Sequence, residues 1–190
     1  MRGDSAWKER IDVERNPTLS LVTDEQADED LKQIYEMCQQ AMGGVPHLAR
    51  VIANCKDLLG PFLGLAGAVA QEYTVPMRLK QLAVLRTAEL NGCAYCRSIH
   101  VPKGEQLGLD SDKMEGVAQK DIPDDVFSAE EKIVIRMTDE MTGRVGAEKD
   151  TVAQAREMFG EAGVVELMMT ISFYNLMTRL AETSQVPLEG

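Results

Sequence analysis

The chain has 190 residues, of which 44% are hydrophobic and 27% charged, which is typical of one globular domain that buries roughly 70% of its unfolded surface. Its 31 acidic and 20 basic residues give a formal charge of −11, which disfavours nucleic acid and anionic membrane surfaces as partners. The longest uncharged run, 58–71, has 14 residues, whereas a bilayer span needs about 20. We therefore expect a single domain over 1–190, with about the first 20 residues as an extended arm.

The N-terminal residues are charged throughout and contain no apolar segment of the kind that a secretory signal requires. This pattern predicts a cytoplasmic protein, in which thiols are normally kept reduced. A close pair of cysteines in that setting indicates redox chemistry or metal binding more than a structural disulfide.

Helix signals follow one another along the chain and strand signals are nearly absent, which predicts an all-α bundle. Apolar residues at steps of three and four predict a first helix over 24–42, with Thr23 and Gln26 as its capping box and Gly43 at its end. Later helices are expected at about 47–55, 57–73, 76–91, 93 onward, 111–119, 129–142, 150–159 and 162–182. The last one is apolar almost all round, which predicts either the most buried element or an oligomer contact.

The segment that indicates chemistry begins where Asn91 and Gly92 end one helix and a new helix starts near Cys93. Cys96 and His100 then lie three and seven residues after Cys93, so all three side chains project from one face. Unpaired N–H groups at a helix start favour a thiolate, and His100 is one turn from Cys96. The spacing predicts a pair that cycles between dithiol and disulfide.

Other interpretations of the cysteine pair compete with this one. The two residues can be buried as ordinary small hydrophobes. A structural zinc site needs four ligands, and the spare candidates Cys38, Cys55 and His47 lie at no second ligand-pair spacing. A thioredoxin-type site belongs to a βαβ pattern, which this sequence lacks.

Several phrases of the sequence resemble one known family. They are LxVLRxAELNGCAYCxxxH (82–100), GxVPHLAR (43–50), FSAEE (127–131) and the closing FYNLMTRLAETSQVPLEG (173–190). Together they look like the superfamily of alkylhydroperoxidase D (AhpD) and carboxymuconolactone decarboxylase, over roughly residues 30–190. The resemblance implies an AhpD-like helical bundle, a homo-oligomer (trimer or hexamer), and reduction of hydroperoxides by a dithiol that a lipoyl-type reductant regenerates.

By the same resemblance, Cys96 matches the cysteine that attacks peroxide, Cys93 the resolving cysteine and His100 the proton-relay histidine. The family's peroxidases have a relay glutamate twelve residues before the first cysteine, where this chain has Gln81, which cannot titrate. Glu89 is a possible substitute relay group, with a solvated helix-end residue as its alternative. Pro102 follows His100 by two residues and is expected to kink or end the helix there.

The function that these observations predict is a thiol-dependent peroxidase, an oxidoreductase of antioxidant defence with a hydroperoxide substrate and a dithiol reductant. It would use no metal and no cofactor beyond the redox-active disulfide. Two alternatives stay open: a carboxymuconolactone decarboxylase-type lyase, which would not need paired cysteines, and a non-catalytic redox-sensing or assembly module.

Two charged residues lie within apolar runs of the sequence, Arg86 and Glu166, and we expect them to pair with each other when buried. The remaining polar or soft side chains have structural interpretations. His47 is assigned to a helix entrance or the surface, with lining of the site as its alternative, and Cys38 to the core. Tyr174 and Asn175 are expected to pack with their polar ends satisfied by backbone groups.

Overall fold

The computed structural model describes residues 14–123 and 125–189, so most of the predicted N-terminal arm lies outside the described residues. The described residues form eight α-helices and one 3-10 turn at Ala53–Cys55, with no β-strand, which confirms the all-α prediction. In chain order the helices are α1 (Glu29–Met42), α2 (His47–Ile52), α3 (Lys56–Val69), α4 (Met77–Leu90), α5 (Ala94–Gln106), α6 (Ser111–Val117), α7 (Ala129–Arg144) and α8 (Lys149–Ser184).

Helix α1 begins later than the sequence pattern predicts. The Gln26 side chain accepts a hydrogen bond from the Thr23 N–H, but this bond closes a separate turn ahead of the helix. The helix starts after Asp28, whose carboxylate accepts from the Leu31 N–H at 3.0 Å. An aspartate at this position also suits the positive end of the helix dipole, so it is the better cap.

Helix α4 is the centre of the bundle. Every residue from Leu79 to Ala88 is buried, because α5, α7 and α8 pack around it. The prediction that the last helix is the most buried element is therefore wrong. One side of α8 exposes a set of apolar side chains: Val165, Met168, Met169, Leu176 and Leu180. Its role as an oligomer contact stays a prediction.

Helix α8 consists of two stretches, as the sequence predicts. Gly160 interrupts it with φ 67° and ψ 177°, a left-handed conformation that favours glycine. The second stretch then packs against α4 and α5 and brings Tyr174 to His100. Among the described residues, no helix has both the length and the apolar character needed to cross a bilayer.

Arg86 and Glu166 do not pair with each other, so that prediction is wrong. Arg86 forms an ion pair with Asp139 of α7, at 2.5 Å from Nε to Oδ1. Glu166 instead binds Lys80, at 2.9 Å, and accepts from the N–H groups of residues 73–75. The two buried charges do each have a partner of opposite charge, as expected. The sequence contains several possible partners for each, and it does not show which of them lies close in the fold.

Helix α5 continues four residues beyond Pro102, so of the two expected effects, a kink or an end of the helix, the end is wrong. Pro102 removes only one N–H donor, toward the Ser98 carbonyl. Tertiary packing holds the rest of the helix in place: a Cβ at Gly104 would lie 3.1 Å from both Leu85 of α4 and Met114 of α6. This close contact keeps the helix against the core past the proline.

Candidate active site

The cysteine pair lies where the chain passes from α4 into α5. Gly92 has a φ of 63°, a left-handed conformation that ends α4 and turns the backbone. The N–H of Cys93 then donates to the Ala88 carbonyl at 2.8 Å, so the next helix is fixed directly against the end of α4. Cys93 is the N-cap of α5, which places Cys96 and His100 on the face that the sequence predicts.

The two thiols share a hydrogen-bonding arrangement at the start of α5. The Cys96 N–H donates to Cys93 Sγ at 3.2 Å, and the two residues are only 0% and 2% exposed, without a disulfide. The pKa of the Cys96 thiol is raised well above its ordinary value, because the thiol is hydrogen-bonded to Cys93 and buried. A thiolate at Cys96 is thus not favoured at rest.

Gln81 and His100 form a double hydrogen bond between α4 and α5. The Gln81 Nε2 group donates to the His100 carbonyl at 2.6 Å, which turns Oε1 toward His100 Nδ1, at 3.1 Å. An amide oxygen can only accept, so Nδ1 must carry the hydrogen. The Nε2 atom of His100 is therefore an unprotonated acceptor, and no described residue donates to it.

His100 is neutral over the physiological pH range. Burial, with a smaller contribution from the nearby positive charge of Lys103, lowers the pKa of the imidazole to about 3. Gln81 offers no negative charge to offset these two effects. The histidine therefore provides a weak base with a fixed tautomer.

Tyr174 contacts His100 from α8, and sequence reasoning missed it. The two rings meet edge to face, with centroids 5.0 Å apart. The pKa of the Tyr174 hydroxyl is raised by burial and by the nearby Cys96 sulfur. Its hydroxyl makes no hydrogen bond to any described residue, contrary to the expectation of a backbone partner, whereas Asn175 has the expected bond, to the Ile171 carbonyl. The one feature of the sequence that could have pointed to Tyr174 is a phenol within an otherwise apolar stretch.

A cavity of about 360 Å³ opens beside His100 and Tyr174, between the end of α3 and helices α4, α5 and α8. Its walls are mainly apolar: Val69, Ala70, Met77, Val84 and Leu107. The polar lining includes Lys80 and Lys103 as well as Gln81, and none of the described residues that line it is acidic. Lys103 follows His100 by three residues, so it lies on the same face of α5.

Two segments cover the thiols, residues 14–22 and 185–189, which we call the terminal cover. Leu21, Val186 and Leu188 pack with Cys93 and Cys96 in one apolar cluster. Arg15 fastens the two segments together, donating to the Val186 carbonyl at 2.7 Å and pairing with Glu182 at 3.0 Å. The Tyr95 hydroxyl also donates to the Glu189 carboxylate.

The other residues singled out from the sequence lie around this site. The Glu89 carboxylate is buried, with 8% side-chain exposure, and pairs with Arg97 at 3.5 Å, so the interpretation as a solvated helix end is wrong. Of the two possible relay residues, Glu89 and Gln81, it is Gln81 whose side chain is hydrogen-bonded to His100. His47 lies at the start of α2 and contacts the Pro187 carbonyl in the terminal cover, while Cys38 is buried in α1, as expected of a core residue.

The described residues contain no set of side chains that would support the alternative of a metal site. Across 14–123 and 125–189, no three side chains of histidine, cysteine, aspartate or glutamate lie close enough together to hold a metal ion.

Residues 56–140 match the model of the carboxymuconolactone decarboxylase family. This segment contains Gln81, both cysteines and His100, but ends before Tyr174. No curated protein matches the sequence.

Solved structures show the same fold at low sequence identity. A peroxidase-related protein from Silicibacter sp. has a TM-score of 0.78 and 18% identity, over 94% of this chain and 95% of that chain. A peroxidase-related protein with an alkylhydroperoxidase AhpD core, from Ralstonia eutropha, has a TM-score of 0.74 and 17% identity, over 92% of each chain. A debrominase in its apo form has a TM-score of 0.74 and 16% identity, over 92% of this chain and 94% of that one.

Proposed function

We propose that the chain belongs to the AhpD and carboxymuconolactone decarboxylase superfamily, whose decarboxylase family model matches residues 56–140, and that it reduces organic hydroperoxides with the Cys93–Cys96 dithiol. The observation that carries this proposal is the cluster at the start of α5, where two thiols are free, the backbone N–H of Cys96 donates to the sulfur of Cys93, and a histidine follows one turn later. A decarboxylase would not need the paired thiols, so their arrangement favours redox chemistry over the lyase alternative.

The proposed cycle starts when the Cys96 thiol passes its proton to His100 Nε2. The Cys96 thiolate attacks the terminal oxygen of ROOH, the O–O bond breaks, and RO⁻ leaves and takes up the proton as ROH. Cys93 then attacks the sulfur of the Cys96 sulfenic acid, which forms the disulfide and releases water. The two thiol hydrogens thus end in ROH and water, and the peroxide is reduced by the two electrons of the dithiol.

Regeneration requires a second dithiol, and we propose a lipoyl-type reductant that attacks the Cys93–Cys96 disulfide and leaves as its own disulfide. The terminal cover must open for this exchange, since both sulfurs are buried. The cycle as written uses no metal.

We also propose that the protein assembles with copies of itself, as a trimer or hexamer, through the exposed apolar side of α8. Exposed apolar surfaces of this kind are typical of contacts between proteins. Light scattering that gave the mass of a monomer would exclude this assembly.

The experiment that tests the peroxidase proposal is thiol mass spectrometry after brief exposure to cumene hydroperoxide, followed by turnover with dihydrolipoamide. The wild type should form the Cys93–Cys96 disulfide and consume peroxide continuously. Cys93→Ser should stop at a sulfenic acid on Cys96, Cys96→Ser should not react, and Cys38→Ser should behave as the wild type. A sulfenic acid on Cys93 in the Cys96→Ser variant would show that Cys93 attacks the peroxide and Cys96 resolves the sulfenic acid.

Other outcomes of this experiment separate the alternative functions. A disulfide that forms readily without turnover would favour the redox-sensing module. No oxidation at all would contradict the peroxidase proposal, and decarboxylation of a lactone carboxylate would be assayed next. One structural neighbour is a debrominase in complex with 2,3,4-tribromopyrrole. The same dithiol can in principle reduce a carbon–bromine bond to carbon–hydrogen, with HBr and the disulfide as the other products, so this compound is also assayed.

A further inference from the structure

We propose that the cavity beside His100 and Tyr174 is the site of the organic substrate, and that it selects small apolar molecules that carry an anionic group such as a carboxylate. The anion would pair with Lys103, and the reacting oxygens would lie on His100 and Tyr174. The part of this inference that concerns the peroxide rests on the proposed peroxidase function, for which it names the class of substrate. The cavity, of about 360 Å³, is at the small end of ligand sites, which suits a single ring or a short branched chain.

The polar groups of the cavity suit a hydroperoxide. His100 Nε2 is an acceptor without a donor among the described residues, because Gln81 holds the hydrogen on Nδ1. The Tyr174 hydroxyl is a free donor beside it, with the two rings 5.0 Å apart. In the resting site the terminal O–H of a hydroperoxide would donate to His100 Nε2. Once Nε2 has taken the Cys96 proton, Nε2 and the Tyr174 hydroxyl would both donate to the oxygen that leaves as RO⁻. Hydrogen bonds to a developing oxyanion are strongly catalytic, so Tyr174 is assigned as a catalytic residue.

The charge at the cavity is opposite to that of the protein. The chain has a formal charge of −11, yet two lysines and no described acidic residue line this cavity. Lys80 is already engaged by Glu166 at 2.9 Å and by the Gln71 carbonyl at 2.6 Å. Lys103 forms no ion pair with any residue in the described ranges, so it is the one available cation of the lining.

Lys103 also connects anion binding to the reaction. Its charge opposes protonation of His100, and a bound carboxylate would cancel that effect. An anionic substrate would thus make its own base stronger, whereas a neutral substrate of the same shape would not. The preference should therefore be visible in both binding and rate.

The test uses a matched pair of substrates, cumene hydroperoxide and its para-carboxylate. In the wild type we expect kcat/KM for the carboxylate to exceed that for the neutral compound by about tenfold. Lys103→Glu should bring this ratio below one, and the exposed control Lys32→Glu should leave it unchanged. An unchanged ratio in Lys103→Glu would overturn the proposal.

A binding measurement separates this proposal from the peroxidase proposal. Isothermal titration with 4-isopropylbenzoate, which cannot react, should show saturable binding to the wild type and to Lys32→Glu, with at least tenfold weaker binding to Lys103→Glu. This result supports the anion site even if no peroxide is consumed, and equal or absent binding overturns it. Tyr174→Phe should bind 4-isopropylbenzoate as the wild type does but lose about 10- to 100-fold in kcat/KM for both hydroperoxides. Unchanged turnover would remove Tyr174 from the catalytic residues.

Discussion

The substitution Gln81→Glu should change the acid–base behaviour of His100 more than any other single change at the site. Gln81 now contacts both the Nδ1 atom and the backbone carbonyl of His100. It fixes the tautomer but carries no charge, so the imidazole pKa of about 3 reflects burial and Lys103 without compensation. A carboxylate at this position would supply the missing negative charge.

The size of the effect follows from the distance. At an effective dielectric constant of about 20, a carboxylate oxygen 3.1 Å from Nδ1 favours the imidazolium by about 5 kcal/mol, or roughly four pKa units. The variant also loses the amide N–H donated to the His100 carbonyl, which reduces the gain. We therefore expect the pKa of His100 to rise by about two to four units, from about 3 into the range of about 5 to 7.

The assay is an NMR titration of the imidazole nitrogens, which is simple because the chain has only 2 histidines. His47 serves as the internal reference, and Gln81→Met as the variant that removes both hydrogen bonds without adding charge. In Gln81→Glu, His100 can accept the Cys96 proton near neutral pH, so peroxide-driven disulfide formation at pH 7 should accelerate at least tenfold. A His100 pKa in Gln81→Glu within one unit of the wild-type value would refute the reasoning.

Three further predictions concern stability and access. His100 is protonated more readily in the unfolded chain, with an ordinary pKa of 6.5, than in the folded protein, at about 3, so its contribution is fully present above pH 6.5 and is lost as the pH falls toward 3. Between pH 7 and 4 the wild type should lose about 3 kcal/mol more unfolding free energy than His100→Asn, measured by urea denaturation, and parallel curves would contradict this. Lys80→Met leaves the Glu166 charge buried without its cation and should lower the free energy of unfolding by about 3–5 kcal/mol. Arg144→Ala breaks an exposed pair and should lower it by less than about 0.5 kcal/mol. A decrease below about 1 kcal/mol for Lys80→Met would be inconsistent with a buried pair. In a Cys55→Ser background, Arg15→Ala should loosen the terminal cover and speed the reaction of the buried thiols with a disulfide reagent about tenfold. Lys32→Ala is the control, and an equal rate in Arg15→Ala and the wild type would show that Arg15 does not hold the cover.

Much of the fold is predictable because the apolar spacing and the helix ends are local features. The stop at Gly92 and the restart at Cys93 follow from residues next to each other, and the face shared by Cys93, Cys96 and His100 follows from helical geometry. The Ser128–Glu131 capping box at the start of α7 is likewise formed by residues close together in the sequence. These predictions need no knowledge of which helices touch.

The predictions that failed depend on contacts between helices. The pairing of Arg86 with Asp139 rather than Glu166 depends on which faces of α4, α7 and α8 meet. The raised pKa of Cys96 depends on its hydrogen bond with Cys93 and on burial beneath the terminal cover, which together outweigh the helix-start effect expected from local geometry. Tyr174 reaches His100 only because α8 packs against α5, and no spacing in the sequence relates the two residues.

The terminal cover sets an order of events during protein synthesis. Tyr95 and Glu189, which meet in the folded protein, are 94 positions apart in the chain. At 5–20 residues per second, the ribosome makes Glu189 about 5 to 20 s after the cysteines beside Tyr95. Throughout that interval the nascent thiols lack residues 185–189 of the terminal cover, so they are more open to oxidants than in the folded protein. A Cys93–Cys96 disulfide in newly made protein would therefore report on how late the chain closes rather than on turnover.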